Sequence, residues 1–266
     1  MFSKKIILPF FALLLFSTLS CNMKNGQGLN FFSIQDDIEM GKQFSQELER
    51  DKQNYPILPE STNKEAYQYI RGLTNKILNS GEVAYKNEFE WQVKIIKDDN
   101  TLNAFAVPGG YLYVYTGLIK YLDSEDQLAG VMGHEIAHAA LRHSTQQMSK
   151  IYGLDALRAV ATGKQEGGTL SQMALSVISL GFSRKHESQA DEYSVRYLCP
   201  TEYNAAGAAG FFEKLNDGGG ARQPEFLSTH PDPGNRVKDI NKQKVDLGCG
   251  GKATNQGQYN KIKKML

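Results

Sequence analysis

The hydrophobic pattern of the chain predicts a mostly helical protein with one small sheet. Apolar residues recur at helical spacing across residues 34–51 and 64–78, and again from Ser124 toward Met148. Ser33 precedes the first segment, and a serine at this position is a favoured N-cap. We therefore expect three substantial helices in the first 150 residues, the third of them strongly apolar.

Alternating apolar and polar residues predict strands in the region between these helices. Residues 89–96 alternate, and two further apolar runs occupy residues 103–107 and 111–115. The last two runs flank Pro108-Gly-Gly110, which is a strong turn signal. The sequence therefore predicts a β-hairpin with a third strand nearby.

The apolar third helix contains the motif His134-Glu-Ile-Ala-His138. Residues four apart share one face of a helix, so both imidazoles would point at one spot. Imidazole nitrogen suits Zn²⁺, and Glu135 would act as a general base on the water that attacks a peptide bond. The alternative is an ordinary surface helix, but polar groups in so apolar a helix are costly to bury unless something binds them.

A zinc peptidase needs a third protein ligand and an open fourth position. His143 would lie about 180° from His134 on a continuous helix and would face away, so it is not assigned as a ligand. Glu187 and Asp191 are four apart in a predicted helix at 183–198. One carboxylate would bind the metal and the other would accept the N–H of a ligating histidine. Alternatively, both belong to a solvated helix face.

Four motifs in order resemble those of the HtpX/Oma-type zinc metallopeptidases, which include CAAX prenyl endopeptidases and BepA-like periplasmic proteases. The resemblance extends from about residue 34 to residue 241. It implies an α+β fold, a mostly helical gluzincin-type domain with a small antiparallel sheet beside the active-site helix. The four motifs are Asn103–Gly110, His134–His138, Glu187–Asp191 and Ser228–Arg236.

The resemblance also implies roles for individual residues. One Zn²⁺ per chain would be held by His134, His138 and Glu187. Glu135 would be the catalytic base, and Asp191 would support a ligating histidine. His230 would either stabilise the oxyanion or occupy the open zinc position.

Two further roles are expected near this site. Arg236 would anchor the loop around His230 to a carboxylate through its planar guanidinium. The strand at Asn103, Ala104 and Phe105 would lie beside the zinc cleft and bind the substrate backbone by β-augmentation. The alternative for this strand is a purely structural hairpin with a blocked edge.

Composition limits the class of protein. The chain has 266 residues, 41% of them hydrophobic, which is enough for one sizeable core. A formal net charge of +1 gives no electrostatic reason to expect nucleic-acid binding. The sequence shows no internal repeat, so a helical-repeat domain is not expected. We expect a metallopeptidase domain at 34–249 and a poorly ordered, basic C-terminal tail at 250–266.

The N-terminus predicts export and attachment to a membrane. Lys4 and Lys5 precede an apolar stretch at 6–19 that is short for a transmembrane span. Cys21 follows as in a bacterial lipobox, so residues 1–20 would be a signal peptide and 21–33 a lipidated cysteine with a flexible tether. An ordinary secretory signal and an uncleaved anchor are the alternatives.

If Cys21 carries lipid, Cys199 and Cys249 remain. An even pair in an oxidising compartment predicts one disulfide, and two free thiols are the alternative. The function expected from all these features is a zinc endopeptidase facing the periplasm, with protein or peptide substrates and a role in protein quality control. The alternative is a lipid-tethered chaperone or assembly factor with a latent zinc site.

Overall fold

The computed structural model of the protein describes residues 28–151, 176, 179, 181–217, 225–252 and 256–266. The predicted signal peptide and Cys21 lie outside these residues. Residues 28–33, expected as the end of a flexible tether, are instead attached to the domain. The amide of Gly28 donates to Gln146 Oε1 at 2.8 Å, and that of Phe31 donates to Ser149 Oγ at 2.9 Å.

Two amphipathic helices open the domain, as predicted. Helix α1 comprises Ile34–Arg50 and helix α2 comprises Lys64–Leu78. Ser33 forms a capping box with Asp36, in which each side chain accepts a hydrogen bond from the other residue's amide. These helices follow from local signals, namely apolar side chains at helical spacing in both and the capping residue of α1.

A three-stranded sheet follows, made of β1 (Gln92–Ile96), β2 (Ala104–Val107) and β3 (Tyr111–Tyr115). The predicted hairpin is confirmed, because β2 and β3 pair antiparallel around Gly109 and Gly110, which both have positive φ. The small sheet expected as antiparallel is mixed, since β1 pairs parallel with β3. The chain crosses from β1 to the far edge of the sheet, and the hairpin then inserts β3 in the middle.

Helix α3 comprises Thr116–Tyr121, and helix α4, which carries the His-Glu-x-x-His motif, comprises Glu125–Ala140. The predicted continuation of α4 toward Met148 is wrong. Arg142 has φ 62°, and a new helix, α5, begins at residue 143 and continues to 151. The buried Arg142 guanidinium donates to Asp37 Oδ2 at 2.7 Å and to Phe32 O at 2.6 Å. These distant partners hold the chain in a conformation that local helix propensity disfavours.

The second half of the chain packs around α4. Its closest neighbours are α6 and α7, and two glycines of α4 allow the approach. A Cβ at Gly130 would lie 2.1 Å from Ala208 N, and one at Gly133 would lie 2.9 Å from Ser194 Oγ. None of the helices described has both the length and the apolar character required to cross a membrane. The helices of this half are α6 (Arg184–Leu198), α7 (Gly207–Asp217), α8 (Glu225–Thr229), α9 (Arg236–Asp246) and α10 (Gln256–Met265).

The prediction of a poorly ordered C-terminal tail is wrong for residues 256–266. They form α10, whose Tyr259 and Ile262 are fully buried. The Tyr259 hydroxyl donates to Ile119 O at 2.6 Å. The segment has few apolar residues, but Tyr259 and Ile262 join the main core and Leu266 packs against it.

A disulfide joins Cys199 to Cys249, as the cysteine count predicted. It connects the end of α6 to the loop after α9, and both of these helices contribute residues to the site described below.

We expect the Cys199→Ser/Cys249→Ser variant to lose about 4 kcal/mol of unfolding free energy, because the bond closes a long loop in the unfolded chain. Urea denaturation measures the loss. Reductant should lower the midpoint of the wild type and leave the variant unchanged; equal midpoints for both oxidised proteins would contradict a stabilising role.

Candidate metal centre

Helix α4 places two imidazoles side by side in the protein interior. His134 and His138 lie one turn apart and are 0% and 1% exposed. Their Nε2 atoms are 3.0 Å apart. The helical periodicity of the motif therefore has the geometric consequence expected from the sequence.

Helix α6 brings Glu187 to the same spot. Ser183 caps this helix and Glu187 lies in its first turn. Glu187 Oε2 lies 3.3 Å from His134 Nε2, and Oε1 lies 3.4 Å from His138 Nε2. Burial alone would raise the pKa of Glu187, but His230 and the other two imidazoles hold it well below its ordinary value. Glu187 therefore presents an anionic oxygen to the two histidines.

A fourth donor comes from the loop between α8 and α9. His230 is fully buried, and its Nδ1 lies 3.3 Å from His134 Nε2 and 3.2 Å from Glu187 Oε1. The donor atoms of these residues and His138 all lie within 4.8 Å of one another. Zinc bonds of about 2.0–2.1 Å place tetrahedral donors about 3.3 Å apart, close to the separations found here. Three imidazoles and one carboxylate thus fit Zn²⁺ in number, type and spacing.

Glu135 lies beside this cluster without joining it. It is 1% exposed, and in the part of the chain that the structure describes neither carboxylate oxygen accepts a hydrogen bond of ordinary geometry, although the Ala106 amide lies close enough to lower its pKa. Its nearest charged or basic neighbour is His230, whose Nε2 lies 3.5 Å from Glu135 Oε1. Burial raises the pKa of Glu135 to about 7. A buried carboxylate with so few polar neighbours is costly, and this pKa suits a group that takes up and releases a proton near neutral pH.

Asp191 and Arg236 contact residues of the cluster from outside the donor set. Asp191 Oδ1 lies 2.9 Å from His134 Nδ1, the ring nitrogen directed away from the other donors. Arg236 donates to Asp191 Oδ2 at 2.7 Å and to Glu187 Oε2 at 2.8 Å. Arg236 is the first residue of α9 and so ties the end of the His230 loop to α6. The structure thus places both residues where the sequence analysis expected them, and their function in supporting the metal site stays a proposal.

Sequence reasoning missed two histidines near this centre. His143 was expected to face away, but the chain break at Arg142 turns it back, so that its Nδ1 lies 3.0 Å from His138 Nδ1. The ring of His186 stacks on that of His143 with centroids 4.4 Å apart. Burial, with the nearby imidazoles, holds the pKa of His143 well below its ordinary value. This arrangement depends on the positive φ of Arg142, which no local sequence pattern predicts.

The residues expected to bind substrate are buried. Asn103, Ala104 and Phe105 are 2%, 0% and 4% exposed, and the Phe105 ring stacks on Tyr113 with centroids 4.8 Å apart. Strand β2 is an edge strand packed beside α4. A role of these residues in substrate binding stays a prediction, and their buried side chains restrict it to backbone atoms.

Comparison with known proteins agrees with this geometry. Residues 65–244 match peptidase family M48. The chain is 32% identical over 180 residues to the metalloprotease LoiP of Escherichia coli, covering 65% of this chain and 69% of LoiP. It is 28% identical over 225 residues to the beta-barrel assembly-enhancing protease of E. coli, covering 78% of this chain and 43% of that protein.

A third relative is the mitochondrial metalloendopeptidase OMA1 of Arabidopsis thaliana, 32% identical over 148 residues, covering 56% of this chain and 30% of OMA1. The chain spans less than half the length of OMA1 and of the beta-barrel assembly-enhancing protease. The family match extends over most of the chain and includes every residue of the four-donor cluster. The chain therefore belongs to peptidase family M48, whose members are zinc metallopeptidases.

Proposed function

We propose that this metallopeptidase is an endopeptidase of the bacterial cell envelope that degrades or processes misfolded or membrane-associated proteins. The observation that carries the catalytic part is the buried cluster of His134, His138, Glu187 and His230 beside the buried carboxylate of Glu135. Support for the envelope comes from the signal and lipobox pattern that ends at Cys21. Two relatives are named as a beta-barrel assembly-enhancing protease and a metalloprotease, which agrees with this location and activity.

The proposed chemistry divides between the metal and the chain. His134, His138 and Glu187 would hold Zn²⁺, which would supply a Lewis acid for the substrate carbonyl and for water. Glu135 accepts the proton of the attacking water and later delivers it to the leaving amine. Because Glu135 is buried and its pKa is about 7, both the uptake and the release of the proton are accessible near neutral pH.

His230 has two proposed roles, as a zinc ligand and as a donor to the oxyanion, and its ring cannot fill both from one position. In the structure its Nδ1 faces the metal-binding cluster and its Nε2 faces Glu135. In this position His230 completes a four-donor set, so substrate would have to displace it. Once displaced, the same imidazole can donate a hydrogen bond to the developing oxyanion.

The four-donor arrangement also favours a second candidate function. Structural zinc sites are usually closed by four protein ligands, and catalytic sites keep one position open. In a lipid-tethered chaperone or assembly factor, all four ligands would stay on the metal and the site would be latent as a peptidase. Digestion of casein by the purified protein, blocked by a zinc chelator, would exclude permanent latency. A lack of digestion under all conditions would favour the chaperone.

The envelope function is tested in cells that produce the wild type, the Glu135→Gln variant or the Cys21→Ser variant. We expect specific envelope proteins to accumulate with Glu135→Gln and to co-purify with it, because substrate would bind and remain uncut. Quantitative proteomics of envelope fractions measures this accumulation.

Cys21→Ser should lose incorporation of labelled palmitate and leave the membrane fraction. Identical envelope proteomes for wild type and Glu135→Gln would contradict the proposal, and palmitate labelling of Cys21→Ser would disprove the lipid attachment.

A further inference from the structure

The two imidazoles of α4 have different partners on their outward nitrogens. His134 Nδ1 faces a carboxylate, that of Asp191, at 2.9 Å. His138 Nδ1 faces the imidazole of His143, with 3.0 Å between the two Nδ1 atoms. All four residues in these two contacts are buried, so neither contact is shared with bulk water. The outward nitrogen of His138 thus contacts an imidazole, whereas that of His134 contacts a carboxylate.

We propose that His143 is a positioning residue for the metal site, which accepts the Nδ1–H of His138 and so directs Nε2 of that ring at the other donors. The inference rests on the proposed ligand role of His138. A neutral histidine that offers one nitrogen to a metal carries its proton on the other. With Nε2 of His138 in the donor cluster, the proton lies on Nδ1, and the acceptor is the lone pair on His143 Nδ1. His143 is therefore neutral and carries its own proton on Nε2.

The surroundings of His143 hold its ring in this orientation. On one side it stacks on His186, with nearly parallel rings 10° apart. Phe182 stacks in the same way on His138, with centroids 4.0 Å apart and 22° between the planes. The rings of the bonded pair are thus each covered by a further aromatic ring, which limits their rotation.

The chain break before His143 determines its position. Arg142 at φ 62° reverses the path after α4, and its guanidinium is fixed by Asp37 and by the carbonyls of Phe32 and Ser33. On a continuous helix, a residue five positions after His138 would not return to its ring. The N-terminal segment, through Arg142, therefore sets the place from which His143 contacts His138.

Two substitutions separate hydrogen bonding from packing. His143→Phe keeps an aromatic ring for the stack on His186 but removes the acceptor. His143→Asn removes the ring but keeps an acceptor, because the Asn oxygen and the His Nδ1 are both bonded to Cγ. We expect the affinity for zinc, measured by chelator competition on the purified protein, to fall about 10–100-fold in His143→Phe, as is usual for loss of an outer partner of a ligand. His143→Asn should retain affinity within a factor of about three.

The opposite order of affinities, or no loss in His143→Phe, would overturn the proposal. Thermal unfolding of the zinc-free proteins shows whether each variant folds. If His143→Phe does not fold, the ¹⁵N spectrum of histidine-labelled, zinc-loaded wild type decides independently. It should show the His143 proton on Nε2, and a proton on Nδ1 would disprove the acceptor role. Wild type that binds no zinc would instead refute the metal centre itself, which distinguishes the two failures.

Discussion

Replacing Glu135 by glutamine is expected to slow peptide cleavage strongly and to leave zinc binding intact. Glu135 is next to the donor cluster, but its carboxylate lies outside the set of atoms that would bind the ion. Glutamine has nearly the same shape and cannot take up a proton. We expect the rate to fall by about 10²–10⁴-fold, the usual contribution of a positioned base. Cleavage of casein and of a fluorogenic peptide measures the rate, and elemental analysis measures bound zinc.

A matched control lies on the same helix. Glu125 is also buried in α4, where it accepts a hydrogen bond from Tyr203 at 2.6 Å, away from the metal centre. Glu125→Gln removes a buried carboxylate of α4 without touching the site and should keep its activity per folded molecule. Wild-type rates in Glu135→Gln, or equal losses in the two variants, would show that Glu135 is not the catalytic base.

Replacing Glu187 by glutamine is expected to remove most zinc binding. The carboxylate lies 3.3 and 3.4 Å from the Nε2 atoms of His134 and His138, and its contact with Arg236 holds it in place. The variant keeps the size of the side chain and loses its negative charge. Because loss of an outer partner already costs about 10–100-fold in metal affinity, loss of a direct anionic ligand should cost at least about 100-fold. Chelator competition measures the affinity.

The control for Glu187 is its neighbour Glu192 on α6. Glu192 forms an exposed pair with Arg196 at 2.7 Å and does not face the cluster. Glu192→Gln should bind zinc as the wild type does, since exposed pairs of this kind contribute little. Stoichiometric, tight zinc in Glu187→Gln would mean that the ion is held by histidines alone, and the proposed ligand set would be wrong.

Several elements are determined by residues close together in the chain. A periodic apolar face defines α1 and α2, a capping box begins α1, and Pro108-Gly-Gly110 between two apolar runs defines the hairpin. The pairing of His134 with His138, and of Glu187 with Asp191, follows from helical geometry alone. These features could be predicted because each depends on a spacing of a few residues, which a short segment contains in full.

Other features depend on contacts between distant segments. The parallel pairing of β1 with β3 depends on the route of the chain between these two strands. Helix α10 is ordered because Tyr259 and Ile262 reach the core. The break at Arg142 depends on Asp37, more than one hundred residues earlier. His143 consequently turns toward His138, where a continuous helix would have pointed it away.

The sequence by itself determined which side chains are chemically suited to bind zinc and to transfer a proton, and which of them share a helix face. The tertiary structure decided that α4, α6 and the loop before α9 bring four donors together and that the buried Glu135 lies beside them, 3.5 Å from His230 Nε2. The physical reason is that helix periodicity is a local property of the backbone. The approach of one helix to another depends on packing of the whole core, including the close contacts at Gly130 and Gly133.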